Sequence, residues 1–309
     1  KDIRFAQSPV TGGECSLKAL KLEPATDWSS GIKKVWQVGE DAAASKLENF
    51  IENGLHQYKV GRDFPASNCT SLLSPHLHFG EISPHQVWHR IKQEEAQFGS
   101  DDLIHYLREI AWREFSYYLL YHWPHIPEAP FNPKYAAFPW RHDEQALGQW
   151  QKGQTGFPII DAGMRELWQT GYMHNRVRMI VASFLVKNQL INWREGEAWF
   201  WDCLVDADLA SNSASWQWSA GCGADAAPFF RIFNPVLQSE KFDSEGVYIK
   251  QYCPELSGLT GKFLHKPWEA KPEMLEAAGI ELGVDYPQPI LDLKVTRQRA
   301  LAANSSLKT

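Results

Sequence analysis

The stretch "SDDLIHYLREIAWREFSYYLLYHW", residues 100–123, decides the fold class. It opens on a serine and two acids, the composition of a helix start, where carboxylates meet the positive end of the backbone dipole. From there apolar residues return every three or four positions, the period of one helix face. The rhythm extends outward in both directions. "GEDAAASKLENFIENGLHQYKVGR", residues 39–62, sets Ala43, Leu47, Phe50, Ile51 and Leu55 at helical spacing behind Gly39. "SPHQVWHRIKQEEAQFG" begins with Ser83 as a cap and Pro84 in the first turn, where its missing N–H does no harm. "DAGMRELWQTG", "HNRVRMIVASFLVKNQL" and "REGEAWFWDCLVD" read as three further helices. No segment alternates like a half-buried strand, and no strand–helix–strand rhythm recurs. The expected fold is all-α and multi-helical, with long, irregular, Pro-rich connections. Residues 1–35, rich in Gly, Ser, Pro and Thr, read as a linker or lead-in arm, with a short helix expected in "TGGECSLKALKLEP". Residues 36–309 read as the helical domain.

Composition narrows the function classes. At 309 residues, 44% hydrophobic and 22% charged, the chain can bury a sizeable globular core. No apolar run reaches membrane-spanning length, and no basic-then-apolar leader begins the chain. The five cysteines, Cys15, Cys69, Cys203, Cys222 and Cys253, are scattered and form no C-x-x-C, which argues against zinc, iron–sulfur and disulfide frameworks. A cytoplasmic protein with reduced thiols, no metal and no membrane contact is expected, and a monomer. A net charge of −6 argues against a general polyanion-binding surface, so any nucleic-acid contact would be a local basic patch.

Several connections carry specific chemistry. "NCTSLLSPHLHFGEIS" clusters hydroxyls at Thr70, Ser71 and Ser74 ahead of a helix start, where they could cap the helix or hold a phosphate. "YMHNRVRMIVASFLV" places His174, Asn175, Arg176 and Arg178 in or near a helix's first turns. Arginines there oppose the dipole, so either they are solvated or an acid or anionic ligand lies near. "VDADLASN" offers Asp206 and Asp208, readable as a cap, a metal site or partners for Arg178. Without a third carboxylate at metal spacing the metal reading is weak. "NSASWQWSAG" then sets Trp216 and Trp218 one residue apart, in a chain holding 14 tryptophans. An indole is bulky and its N–H needs a partner, so core packing does not readily explain such a pair.

The segments "TSLLS", "EIAWREF", "TGFPIIDAGMREL", "MHNRVRM", "NWREGE", "DADLASN", "WQW", "DAAPFFRIFNP" and "EKFD" occur in one order. In that order they resemble the FAD-binding domain of the DNA photolyase/cryptochrome family. Their wording is similar to the class I photolyases that repair cyclobutane pyrimidine dimers in bacteria. The likeness runs over residues 50–255, with more at "DYPQPI". Family members carry an α/β domain with an antenna chromophore ahead of this region. Here only a short arm precedes it, so the helical domain alone is expected, without the antenna.

The resemblance implies roles residue by residue. Tyr58 and the loop Thr70, Ser71, Leu72, Leu73 and Ser74 match positions that hold FAD, with Tyr106 a further contact. Arg178 and Asp206 match a charge pair beside the isoalloxazine, with Asp208 near its polar edge. Asn212 matches the residue facing flavin N5. Trp216, Trp193 and Trp140 match an electron-transferring chain of indoles. Trp112 and Trp218 match walls of the lesion cavity, and Glu109 the residue that hydrogen-bonds the lesion. Asn175 and Met179 match residues beside flavin and lesion. Arg62, Arg113, Arg176 and Gln238 match contacts on the DNA backbone. The implied activity is light-driven repair of damaged DNA by electron transfer from reduced anionic FAD. A blue-light sensor of the cryptochrome kind, or a fragment that holds FAD poorly, are the alternatives. A (6-4) repair enzyme would need a His pair where His174 is followed by Asn175.

Overall fold

Residues 100–122 form one continuous helix, Ser100–His122, in a computed structural model that describes residues 16–23, 26–95 and 100–307. Its buried face carries Leu103, Tyr106, Leu107 and Ile110, and burial resumes only at Leu119. The gap between those positions is the part of the helix that borders the cavity described below. The chain divides into two units, Lys1–Trp36 and Gln37–Thr309. In the first, Leu17–Leu20 is a 3-10 turn and Ser30–Val35 a short helix, with Lys33 paired to Glu23 at 2.7 Å. Cys15, and the parts of "TGGECSLKALKLEP" before Ser16 and at Pro24, lie outside the described residues.

Within the second unit apolar residues form two main cores and a small third one of Phe138, Leu190, Phe229 and Ala300. The first joins the Glu40–Asn53 helix, through Ala43, Leu47, Phe50 and Ile51, to Val87 and Ile91 of the Pro84–Lys92 helix and to the inner face of Ser100–His122. Ser83 caps the Pro84–Lys92 helix in a reciprocal capping box with Gln86, as the Ser-Pro start predicts. The larger core gathers the Pro158–Thr170, Asn175–Ser183, Trp193–Cys203, Leu209–Ala220 and Val247–Tyr252 helices. Among the described residues there are only two isolated β-bridges and no sheet. The all-α expectation holds.

Two helices expected as continuous are not. The helix from residue 40 stops at Asn53, with Gly54 as its C-cap, and a Cβ at Gly54 would lie 2.9 Å from the Phe50 ring and 3.1 Å from the Asn68 carbonyl oxygen. The chain then makes a 3-10 turn, Leu55–Gln57, and a short helical turn, Tyr58–Gly61, which turns Tyr58 inward. "SFLVKNQ" widens into a π-type turn, Phe184–Gln189, ending at Leu190 with φ 57. The wider turn buries three polar side chains, Lys187, Asn188 and Gln189. Burial pushes the Lys187 ammonium down to about 8, and its Nζ donates to the Arg231 carbonyl at 3.0 Å.

A buried carboxylate ties the distant "DYPQPI" segment to this core. Asp161 accepts from Thr155 N at 2.7 Å, Thr155 Oγ1 at 2.6 Å, Gly156 N at 3.0 Å and the Tyr286 hydroxyl at 2.6 Å. Tyr286→Phe keeps the ring volume and withdraws one donor from a buried carboxylate, a loss of about 1–3 kcal/mol. Thermal unfolding should shift down by roughly 2–5 °C with helix content unchanged. An unchanged midpoint would remove this bond from the fold's stability.

Candidate functional site

Between the two cores lies a cavity of about 630 Å³, within the range of small-molecule sites. Its wall includes Tyr58, Arg62, Thr70, Ser71, Leu72, Leu73, Ser74, Tyr106, Glu109, Trp112, Arg113, Asn175, Arg178, Met179, Asp206, Asp208, Asn212, Trp216 and Trp218. Of the residues to which the resemblance gives a role, four are not in that wall: Trp140, Trp193, Arg176 and Gln238.

The hydroxyl loop departs from regular backbone. Leu72 has φ 52, a left-handed conformation that a branched residue adopts only under local demand. The Ser74–His78 helix starts from Leu73 with no side-chain cap, so capping does not account for the three hydroxyls. Ser74 Oγ donates to Asp206, Ser71 bonds to the Tyr106 hydroxyl and Thr70 to that of Tyr172. Burial pushes the Tyr106 phenol up to about 12.

Asp206 is buried, and Arg178 Nη2 reaches both its oxygens, at 3.1 and 2.8 Å. Arg178 Nε donates to the Met173 carbonyl at 2.7 Å. Burial opposes the Arg178 charge, but Asp206, Tyr172 and Glu166 outweigh it and hold its pKa above the ordinary value. The aspartates left open by sequence therefore divide the work: Asp206 pairs with Arg178, and Asp208 caps the Leu209–Ala220 helix by accepting from Ser211 N at 2.8 Å. Among the described residues no cluster of three potential ligands could hold a metal.

At the mouth, Trp112 is 49% exposed and meets Phe115 edge-on at 5.6 Å. Trp218 is half-buried. The mouth's arginines are already partnered. Arg62 pairs with Glu109 and lies 5.1 Å from the centre of the Tyr58 ring. Arg113 pairs with Glu114 at 2.9 Å. Outside the cavity wall, Arg176 pairs with Asp63 at 2.6 Å and covers the Phe242 ring. Gln238 lies on the Pro235–Phe242 helix.

The two indoles of "WQW" sit on a helix, so their side chains diverge. Trp216 is 2% exposed, and its ring contacts are with Phe200 at 5.0 Å and Trp150 at 6.2 Å rather than with Trp193. Gly196 makes room for it: a Cβ there would lie 2.1 Å from the indole. Trp193 belongs to the same core, and Trp140 packs at that core's edge against Phe138, centroids 4.3 Å apart. Asn212 donates from Nδ2 to the Glu197 carbonyl at 3.0 Å. Sequence reasoning passed over Glu197, Trp150, His78 and Tyr117. Glu197 in "NWREGE", His78 in "NCTSLLSPHLHFGEIS" and Tyr117 in "SDDLIHYLREIAWREFSYYLLYHW" each lay in a stretch that was read for another feature.

The family model for the FAD binding domain of DNA photolyase matches residues 106–306. A deoxyribodipyrimidine photo-lyase of Agrobacterium fabrum is 55% identical over 94% of this chain and 60% of its own length. Cryptochrome-1 of Arabidopsis thaliana is 42% identical over 95% of this chain and 44% of its own. A solved bacterial class III photolyase from Agrobacterium tumefaciens superposes with a TM-score of 0.92 at 54% identity, covering 95% of this chain and 61% of that one. The chain belongs to the DNA photolyase/cryptochrome family, within its FAD-binding helical domain, and spans 44–61% of the length of these relatives. The motif wording suggested class I, and this structural relative is described as class III, so the shared motifs do not decide the subclass. The donor set suits a flavin nucleotide: hydroxyls and irregular backbone at one side, a neutralised ion pair and an amide at the other. Among the described residues no helix is long and apolar enough to cross a membrane.

Behind the Arg178 wall, Glu166 accepts from the Tyr248 hydroxyl and, at 3.3 Å, from His174 N. Burial raises its carboxyl from 4.5 to about 7, while burial and then Arg178 lower His174 to about 4. The folded-state value of Glu166 lies above the unfolded one. The stability it contributes is therefore complete below about 4.5 and is lost as pH rises through about 7, a change on the order of 3 kcal/mol. Glu166→Gln should lose less stability between pH 4.5 and 8 than the wild type in paired thermal melts. Parallel pH profiles would contradict this assignment.

Proposed function

We propose that the chain is the cofactor-binding and lesion-binding part of an enzyme that uses light to split cyclobutane pyrimidine dimers in DNA. The observation that carries this reading is a single cavity lined both by the hydroxyl loop with the Arg178–Asp206 pair and by Trp112 and Trp218. When bound in its reduced anionic form, FAD would supply a light-excitable electron donor for opening the dimer.

The chain's own residues bind and orient. The Thr70–Ser74 loop and Tyr58 hold the polar arm of the cofactor, and the Arg178–Asp206 pair lies beside its ring without adding net charge. Asn212 spends its Nδ2 on Glu197, which leaves its carbonyl oxygen as an acceptor toward the ring. A neutral amide tolerates an anionic ring where a carboxylate would oppose it. Trp112 and Trp218 offer flat faces to an extruded pyrimidine pair, and stacking in single-strand binders contributes about 1–3 kcal/mol per base. Glu109 reads the base edge, with Asn175 and Met179 alongside. Arg62, Arg113, Arg176 and Gln238 contact the DNA backbone, which positions the duplex without reading its sequence. Trp216, Trp193 and Trp140 carry electrons inward, with Trp216 at the cavity end.

The likeness to a cryptochrome supports a second reading, a blue-light sensor that binds the same cofactor. Repair separates the two. The FAD-loaded, chemically reduced chain under blue light should remove dimers from an oligonucleotide, and bound flavin without any repair would favour the sensor. Trp216→Phe should slow light-driven reduction of oxidised FAD sharply while repair by chemically reduced protein persists. Undiminished photoreduction would mean that electrons travel elsewhere and that this indole only packs.

A further inference from the structure

Asp208 differs from the other buried and half-buried acids of the cavity wall. Asp206 is neutralised by Arg178, and Glu109 by Arg62. Among the described residues no lysine or arginine pairs with Asp208, and its one basic neighbour is His78, with Nδ1 at 4.0 Å. Its carboxylate is nonetheless held from two sides. Oδ1 accepts from Ser211 N at 2.8 Å, and Oδ2 accepts from the Tyr117 hydroxyl.

Tyr117 is not part of the cavity wall. It lies one turn beyond Arg113 on the Ser100–His122 helix and is 39% exposed. The Arg113 guanidinium sits 4.6 Å from the centre of its ring, and Arg113 Nη2 donates to the phenol oxygen at 3.4 Å. A chain of donors thus runs from the surface to the cavity, Arg113 to Tyr117 to Asp208. Each bond polarises the next, so the phenol donates more strongly than it would alone. An ionised carboxylate has about four lone-pair sites, and the two bonds use one at each oxygen. Two bonds hold the carboxylate, acceptor capacity is left over, and Asp208 belongs to the cavity wall.

We propose that Tyr117 is a positioning residue that aims Asp208 at an N–H of the bound heterocycle, making the cavity selective for a ring that carries that donor. The inference rests on the FAD reading above. The oxidised flavin ring has a single ring N–H, the imide at position 3. A ring methylated there leaves Asp208 facing a methyl group, and a buried acceptor deprived of its donor discriminates strongly between ligands.

The test equilibrates the FAD-loaded chain with a mixture of FAD and 3-methyl-FAD and quantifies the flavins that remain bound. The wild type should prefer FAD by about tenfold or more, the range of a hydrogen bond to a charged group. Tyr117→Phe keeps the ring beneath Arg113 and removes only the hydroxyl. Its preference should fall at least threefold toward parity, as expected when a charge-assisted bond is lost, with an unchanged melting temperature. Asp208→Asn should lower the preference as well, and serves as the second variant should Tyr117→Phe fold poorly. An unchanged preference in Tyr117→Phe or in Asp208→Asn, or none in the wild type, overturns the proposal. A wild-type chain that retains neither flavin overturns the FAD reading, and the proposal falls with it.

Discussion

The Arg178–Asp206 pair is the contact on which the rest of the cavity depends. It joins the Asn175–Ser183 helix to the connection ahead of Leu209–Ala220, and Ser74 adds the hydroxyl loop to the same carboxylate. Two charges taken out of water are expensive unless their geometry and remaining hydrogen bonds are good. Here Nη2 reaches both carboxylate oxygens and Nε is satisfied by the Met173 carbonyl, so the guanidinium is engaged on two sides. Removing either partner would leave a buried charge uncompensated, typically a loss of about 3–5 kcal/mol. Three segments far apart in sequence are held in register by one pair. The shape of the cavity wall follows from it.

The same pairing logic governs the mouth. On a chain of net charge −6, Arg62, Arg113 and Arg176 are each matched by an acid, Glu109, Glu114 and Asp63. A phosphate approaching this surface competes with a carboxylate already in place. Binding there would involve exchange of partners rather than simple attraction to a basic patch, and would weaken nonspecific retention of polyanions. Arg113 belongs to this rim and also to the Tyr117–Asp208 chain, so events at the rim and the orientation of an acid in the cavity share one side chain.

Helix positions were legible because they rest on local periodicity. Ala43, Leu47, Phe50, Ile51 and Leu55 are all buried as their spacing requires. What could not be read was the place where tertiary contact overrides propensity, the π-type turn that buries Lys187. At the site, motif order singled out residues most of which the fold brings to one cavity. It did not indicate who holds whom. Ser74 and Asp206 are 132 residues apart, and Tyr117 and Asp208 are 91 apart, so their bonds leave no local trace. The two aspartates stayed ambiguous for the same reason, since a cap is a local event and an ion pair is not.

The pair of indoles one residue apart is explained by the residue between them. A helix turns about 100° per residue, so three successive side chains leave its axis in three different directions. Trp216 packs into the core against Gly196, which carries no side chain to block it. Gln217 is buried and spends its whole amide on the residues that follow the Ser100–His122 helix. Its Nε2 donates to the Ile126 carbonyl at 2.6 Å and the Ala129 carbonyl at 3.0 Å, and its Oε1 accepts from Phe131 N at 2.7 Å. Those bonds fix the rotation of the Leu209–Ala220 helix about its own axis. With that rotation set, Trp218 borders the cavity, and Trp216 packs into the core while still forming part of the cavity wall. A polar residue between two indoles would be costly in an ordinary helix interior, because buried amides need partners. Here it is the part that assigns each indole its side.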